Sequence, residues 1–162
     1  MMTEKKDERF ADAINILEES EIGAIWQICF IANTFTFPVY ANFDKTHGIS
    51  RMEFVVLYVT AHRANMMAWE ICRITGLPRN NISRGVKKLE QKGLVSRATD
   101  PNDARRSLLN LTEKGKGLYR ELVVPYADRA ETVLSLLDDS DRAALTDITL
   151  RLSRKIALAN IS

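Results

Sequence analysis

Apolar positions recur at spacings of three and four along most of the chain, which predicts helices. The first such stretch runs from about Phe10 to Asn42 and includes Ile14, Leu17, Ile22, Ile25, Ile28 and Phe30, with Glu18 to Glu21 as a break into two pieces. Pro38 is expected to kink or end the second piece, because proline lacks an amide proton and its ring crowds the preceding turn. Asp44 to Gly48 reads as a polar loop. Ser50 followed by Glu53 forms a capping box, in which each side chain satisfies the other residue's orphan backbone N–H. The run Phe54 to Val59 is β-rich in composition but does not alternate, so behind that cap it reads as a buried helix.

After a linker at Arg63 to Asn65, two short helices are predicted. Met67 to Thr75 ends at Gly76, which tolerates the left-handed conformation of a C-cap. Pro78 opens the next helix, which runs to about Lys92 and closes at Gly93. Two helices joined by so short a turn make a helix-turn-helix. The period then changes. Leu94 to Ala98 and Ser107 to Leu111 read as paired strands around a turn at Thr99 to Arg106 that is rich in Asp, Pro and Asn. Thr112 caps a long helix to about Leu137, with a kink at Pro125. A last helix runs from Ser140 to about Asn160 with Ala144, Leu145, Ile148, Leu152, Ile156 and Ala159 on one face. The expected fold class is therefore mainly α with a small β-wing. A winged helix-turn-helix lobe, residues 49–112, is flanked by helical segments at 1–48 and 113–162.

Charge sharpens this picture. The 162-residue chain carries a formal net charge of only +2. Between Arg73 and Arg106, however, nine basic residues stand against three acidic ones, so that stretch is +6 and the remainder −4. A basic segment on an acidic body is the footprint of a polyanion partner. The second helix of a helix-turn-helix enters the major groove with its N-terminal residues toward the base edges. Here those residues are Arg79, Asn80, Asn81, Ser83 and Arg84. Arginine suits guanine and asparagine suits adenine, each through two hydrogen bonds. Lys87 and Lys88 lie one turn later, within reach of phosphate, and Ile82, Val86 and Leu89 should face the core. Arg105 and Arg106 fall at the tip of the hairpin, where a cation can enter a minor groove, and Arg97 on the first strand is counted with them among the candidate DNA contacts. Asp100 or Asp103 is expected to stiffen that loop by pairing with Arg97 or with a turn N–H.

Other chemistry is poorly represented. His47 and His62 give no metal-ligand spacing, and the sequence has no phosphate loop and no nucleophile elbow. No catalytic residue, metal or cofactor is expected. No apolar run approaching a bilayer span is read from the sequence, and Glu4 to Arg9 lack the apolar core of a signal peptide. Cys29 and Cys72, both in apolar helical patterns, imply reduced thiols rather than a disulfide framework. The expected setting is cytoplasmic.

Three motifs in register carry a family resemblance: Leu89-Glu90-Gln91-Lys92-Gly93-Leu94-Val95-Ser96-Arg97, then Asp100-Pro101-Asn102-Asp103-Ala104-Arg105-Arg106, then Leu111-Thr112-Glu113-Lys114-Gly115. Together they resemble the signature of MarR-type regulators, and the order of helices matches over about residues 20–160. The resemblance implies a homodimeric transcription regulator, more often a repressor, that binds a pseudo-palindromic double-stranded DNA operator. It implies that Arg105 enters the minor groove, that Asp103 orients it, and that the first and last helices build the dimer. It also implies release by a small-molecule effector held between the dimer helices and the DNA-binding lobe. Phe30, Phe37, Tyr40, His47, Arg51, Phe54 and Tyr58 are the candidate contacts for an acidic or phenolic ligand. Two alternatives remain: a redox sensor acting through Cys29, which the sequence reads more readily as a buried structural cysteine, and a winged-helix protein-interaction module without DNA binding.

Overall fold

A computed structural model describes residues 20–159, so the expected helix before Ser20 and the last residues from Asn160 lie outside the described residues. By its internal contacts the chain divides into two units, Met1–Val39 and Tyr40–Ser162.

The first helix, α1, spans Gly23–His47 and follows a turn closed by the Gly23 N–H on the Ser20 carbonyl (2.8 Å). It passes through Pro38, so of the two expected effects the proline does not end the helix. A proline removes one rung of the ladder, and a long helix can bridge that gap. The predicted loop at Asp44 to Gly48 is therefore mostly helix. Its end is set by Gly48, at φ 62°, whose N–H bonds the Asp44 carbonyl. In the first unit α1 leaves Ile25, Trp26, Ile28, Ile31 and Phe37 about half exposed. By length and composition alone α1 is apolar enough to cross a membrane, which the reading of apolar runs in the sequence did not anticipate. Interspersed Asn, Thr and Gln residues hide that average from a search for unbroken runs.

The second unit contains the winged helix-turn-helix. Helix α2, Arg51–His62, begins with the expected capping box: Ser50 Oγ accepts from Glu53 N–H, and Glu53 Oε2 accepts from Ser50 N–H at 3.0 Å. Phe54, Val56, Leu57 and Val59 are buried, so packing overrides their β preference. Helix α3, Ala68–Thr75, ends on Gly76 at φ 67°. Helix α4, Arg79–Gln91, follows Pro78 and buries Ile82, Val86 and Leu89 completely.

Strands β1, Val95–Asp100, and β2, Asp103–Leu111, pair antiparallel from Val95↔Leu111 to Asp100↔Asp103, with an irregularity between Thr99 and Asp100. Met66 adds a bridge to Leu109 on the inner edge. Both strands are longer than expected and the turn is only Pro101-Asn102. Helix α5, Glu113–Leu134, starts at Thr112, whose Oγ1 accepts from Gly115 N–H at 3.0 Å, and continues through Pro125. Helix α6, Asp139–Ala159, buries none of its side chains. Its first turn is held to α5 by a two-pronged Arg142–Glu131 pair at 2.8 and 2.5 Å.

Candidate nucleic-acid interface

The amphipathic pattern of α4 sorts its residues. With Ile82, Val86 and Leu89 committed to the core, the other face must carry Arg79, Asn80, Ser83, Arg84, Lys87 and Lys88, and all six are exposed. Asn81 is half-buried, and its Oδ1 accepts from Arg84 Nη2 at 2.7 Å, which pre-orients that guanidinium. No acid lies in the first turn of this helix. The N-terminal end of α4 therefore joins two arginines, amide side chains and free backbone N–H groups, all suited to an anion or to base edges.

The wing is built differently from expectation. Arg105 and Arg106 stand on β2 just beyond the tip, because the carboxylates of the loop shorten it. Asp100 Oδ1 accepts from Asn102 N–H (2.9 Å) and Asp103 Oδ1 accepts from Arg105 N–H (3.0 Å). The expected pairing of one wing aspartate with a turn N–H is thus realised. Asp103 also pairs with Arg106 Nε at 3.2 Å, so it holds the Arg105 backbone and the Arg106 side chain. The Arg105 guanidinium makes no hydrogen bond or ion pair among the described residues and is exposed. Arg97 is engaged elsewhere: its Nε donates to Glu90 Oε1 at 2.6 Å, with Ser107 Oγ 3.4 Å from Nη1. It braces the wing against the end of α4.

The aromatic candidates separate into three places. Tyr40, Arg51, Phe54 and Tyr58 line one cleft of about 400 Å³, with Ile74, Leu77 and Tyr126. Phe54 stacks on Tyr126 at 5.3 Å, and the Arg51 guanidinium lies 5.7 Å from the centre of the Tyr40 ring. Burial pushes the Tyr126 hydroxyl up to about 12, helped by Tyr40 beside it, so it stays a neutral hydrogen-bonding phenol. Tyr126 was not singled out in the sequence. His47 lines a different cleft and meets Glu121 at 3.4 Å. Phe30 and Phe37 belong to the first unit, where both are exposed. Cys29 is exposed rather than buried, on a stretch of α1 where Trp26, Ile28 and Phe30 are also exposed.

Comparison with known proteins decides the family. The model of the MarR family matches residues 47–106. The HTH-type transcriptional regulator MhqR of Bacillus subtilis (strain 168) is 30% identical over 105 residues, covering 65% of this chain and 72% of that protein. The chain belongs to the MarR family. The transcriptional repressor MprA of Escherichia coli (strain K12) is 29% identical over 114 residues, covering 69% of this chain and 65% of that one. A MarR family regulator from Listeria monocytogenes, solved in complex with a 26mer DNA, superposes with a TM-score of 0.75 at 22% identity, over 82% of this chain and 88% of that chain. At that identity the likeness is one of fold. The MarR-family assignment makes this chain a transcriptional regulator and not an enzyme.

Proposed function

We propose that this MarR-family chain is a cytoplasmic, homodimeric repressor of double-stranded DNA sites, released by a small aromatic acid or phenol. The observation that carries the reading is the exposed face of α4, where Arg79, Asn80, Ser83 and Arg84 lead a row continued by Lys87 and Lys88. In this reading the first residues read base edges in the major groove, and the two lysines and backbone N–H groups meet phosphate. Arg105 enters the minor groove from a wing tightened by Asp103. Arg97 acts through the wing, since Glu90 already holds it.

The dimer is supported by exposed apolar side chains: Ile25, Trp26 and Ile28 on α1, and Ile148 and Ile156 on α6. A second copy covering them would set two recognition helices one DNA turn apart. MprA, similar to this chain, is described as a repressor, which supports that sign of regulation. The effector site is the cleft of Tyr40, Arg51, Phe54, Tyr58 and Tyr126. Arg51 would take a carboxylate, the phenols would hydrogen-bond, and Phe54 would stack on a ring. A ligand that fits one arrangement of the dimer better than the other shifts the population away from the DNA-binding form.

Selection from a random duplex pool at two salt concentrations tests the reading. Enrichment of a palindrome with half-sites about one turn apart, and binding that weakens steeply with salt, is the expected outcome. Weak binding that ignores both sequence and salt would favour a protein-interaction module instead.

A further inference from the structure

Among the described residues Glu53 is the sole buried charged side chain, 1% exposed. A buried carboxylate is tolerated only when paired. Its Oε2 accepts from Ser50 N–H (3.0 Å) and Ser50 Oγ–H (2.6 Å), which complete the cap of α2. A neutral glutamine oxygen could accept both of those bonds. The charge is answered by something else: Lys92 Nζ, which contacts Glu53 Oε1 and also donates to the Gly48 carbonyl at 2.6 Å. Lys92 is the residue that closes the recognition helix.

We infer that the Lys92–Glu53 pair sets the angle of α4 on α2, which makes these two residues positioning residues for base reading. The inference rests on the DNA-binding role proposed for α4. Its physical basis is a lever. The backbone of α4 lies close against α2 at Gly85, where an added Cβ would lie 3.0 Å from the Met52 carbonyl oxygen. Met52 and Glu53 are neighbours, so α2 touches α4 at a crossing point and again at its end. At a rise of ~1.5 Å per residue, Lys92 is about 10 Å from that crossing on one side. Asn81 to Arg79 lie roughly 6–9 Å away on the other. Were the Lys92 end released from α2, a tilt about Gly85 would move the reading end nearly as far as that end.

The other ties at this end run elsewhere. Lys114 Nζ donates to the Lys92 carbonyl at 2.9 Å and Thr112 Oγ1 donates to the Gly93 carbonyl at 2.7 Å, both from the start of α5. They fix the end of α4 to α5, while the polar tie of this end toward α2 is Lys92, which adds a fixed point at the end of the helix to the packing of Ile82, Val86 and Leu89. The same geometry turns the Lys92 ammonium inward, toward Glu53 and Gly48, rather than toward a DNA phosphate.

The test uses the full-length protein and two duplexes of equal length, the selected operator and a scrambled sequence, titrated over a series of salt concentrations. The double variant Glu53→Gln with Lys92→Met removes the pair without stranding a charge. Glu53→Gln alone is a milder version that keeps the Ser50 bonds and leaves Lys92 to the Gly48 carbonyl and water. All measurements are made well below each variant's melting midpoint. The expected result is a fall of about tenfold in the ratio of operator to scrambled affinity, the low end of losing one base contact. Affinity for the scrambled duplex and the slope against salt should be unchanged. An unchanged ratio overturns the inference. So does an equal loss on both duplexes with a shallower salt slope, which would make Lys92 a phosphate contact. If the wild type prefers no sequence, the DNA-reading assignment fails and this inference with it. An operator-selective wild type with an equally selective double variant removes this inference alone.

Discussion

At the scale of single residues, the two wing arginines are adjacent in sequence and different in circumstance. Arg106 is partnered by Asp103, whereas Arg105 has its backbone fixed by the same aspartate and its guanidinium left to solvent. Arg105→Ala should therefore weaken operator binding by roughly 1–3 kcal/mol, the range of one good DNA contact, with no change in thermal midpoint. Anisotropy titrations beside a melting curve would check both parts, and wild-type affinity would refute the minor-groove role. Gly115 is a different kind of residue. An added Cβ would stand 2.0 Å from the Leu94 carbonyl oxygen, where the start of α5 presses on the start of β1. Gly115→Ala should cost about 1–3 kcal/mol or more as the backbone shifts, read as a lowered denaturant midpoint. The glycine was legible as the last letter of a motif. Its reason was not, because the clash is with a carbonyl twenty-one residues away in the chain.

At the scale of elements, local signals located most boundaries and failed where a distant or averaged property decided. Gly76, Gly93 and the Ser50–Glu53 box mark element ends through backbone chemistry that a few residues suffice to specify. The wing turn was read too long because Asp, Pro and Asn favour loops by type. Here two aspartates use their carboxylates to close a short turn and let the strands extend. The cleft was half legible, since Arg51, Phe54 and Tyr58 follow from one helix, while Tyr126 arrives from another. The cap of α2 also has a pH consequence. Burial pushes the Glu53 carboxyl up, but hydrogen bonds from Lys92 and Ser50 bring it net below its ordinary value. A carboxylate with a depressed folded pKa adds stability above its unfolded pKa and loses it as pH falls through the folded value. Wild-type protein should lose stability progressively below about pH 5, and Glu53→Gln should flatten that slope while lowering stability at neutral pH. Melting midpoints measured from neutral to acid would show it, and parallel curves would mean that the pair carries none of the acid sensitivity.

At the scale of the whole molecule the open question is what covers the apolar faces. On α6, Leu145, Ile148, Leu152 and Ile156 are 41%, 53%, 39% and 44% exposed and recur at spacings of three and four, so they form one stripe. A contiguous exposed apolar stripe of this kind is the usual mark of an interaction surface. The proposed occupant is the same stripe of a second copy, and the symmetry of a twofold dimer makes one substitution act twice. Ile148→Asp would place two carboxylates in an apolar seam, and burying charge there is strongly unfavourable. The wild type should sediment as a dimer at micromolar concentrations and the variant as a monomer. The change lies outside the α4 face and leaves buried side chains untouched, so the helical content should be preserved. Operator binding should weaken along with association, because each half-site must then be bound by a separate monomer. If Ile148→Asp remained a dimer with full operator affinity, the stripe on α6 would not be the seam, and the exposed apolar face of α1 would be left as the surface that joins two copies.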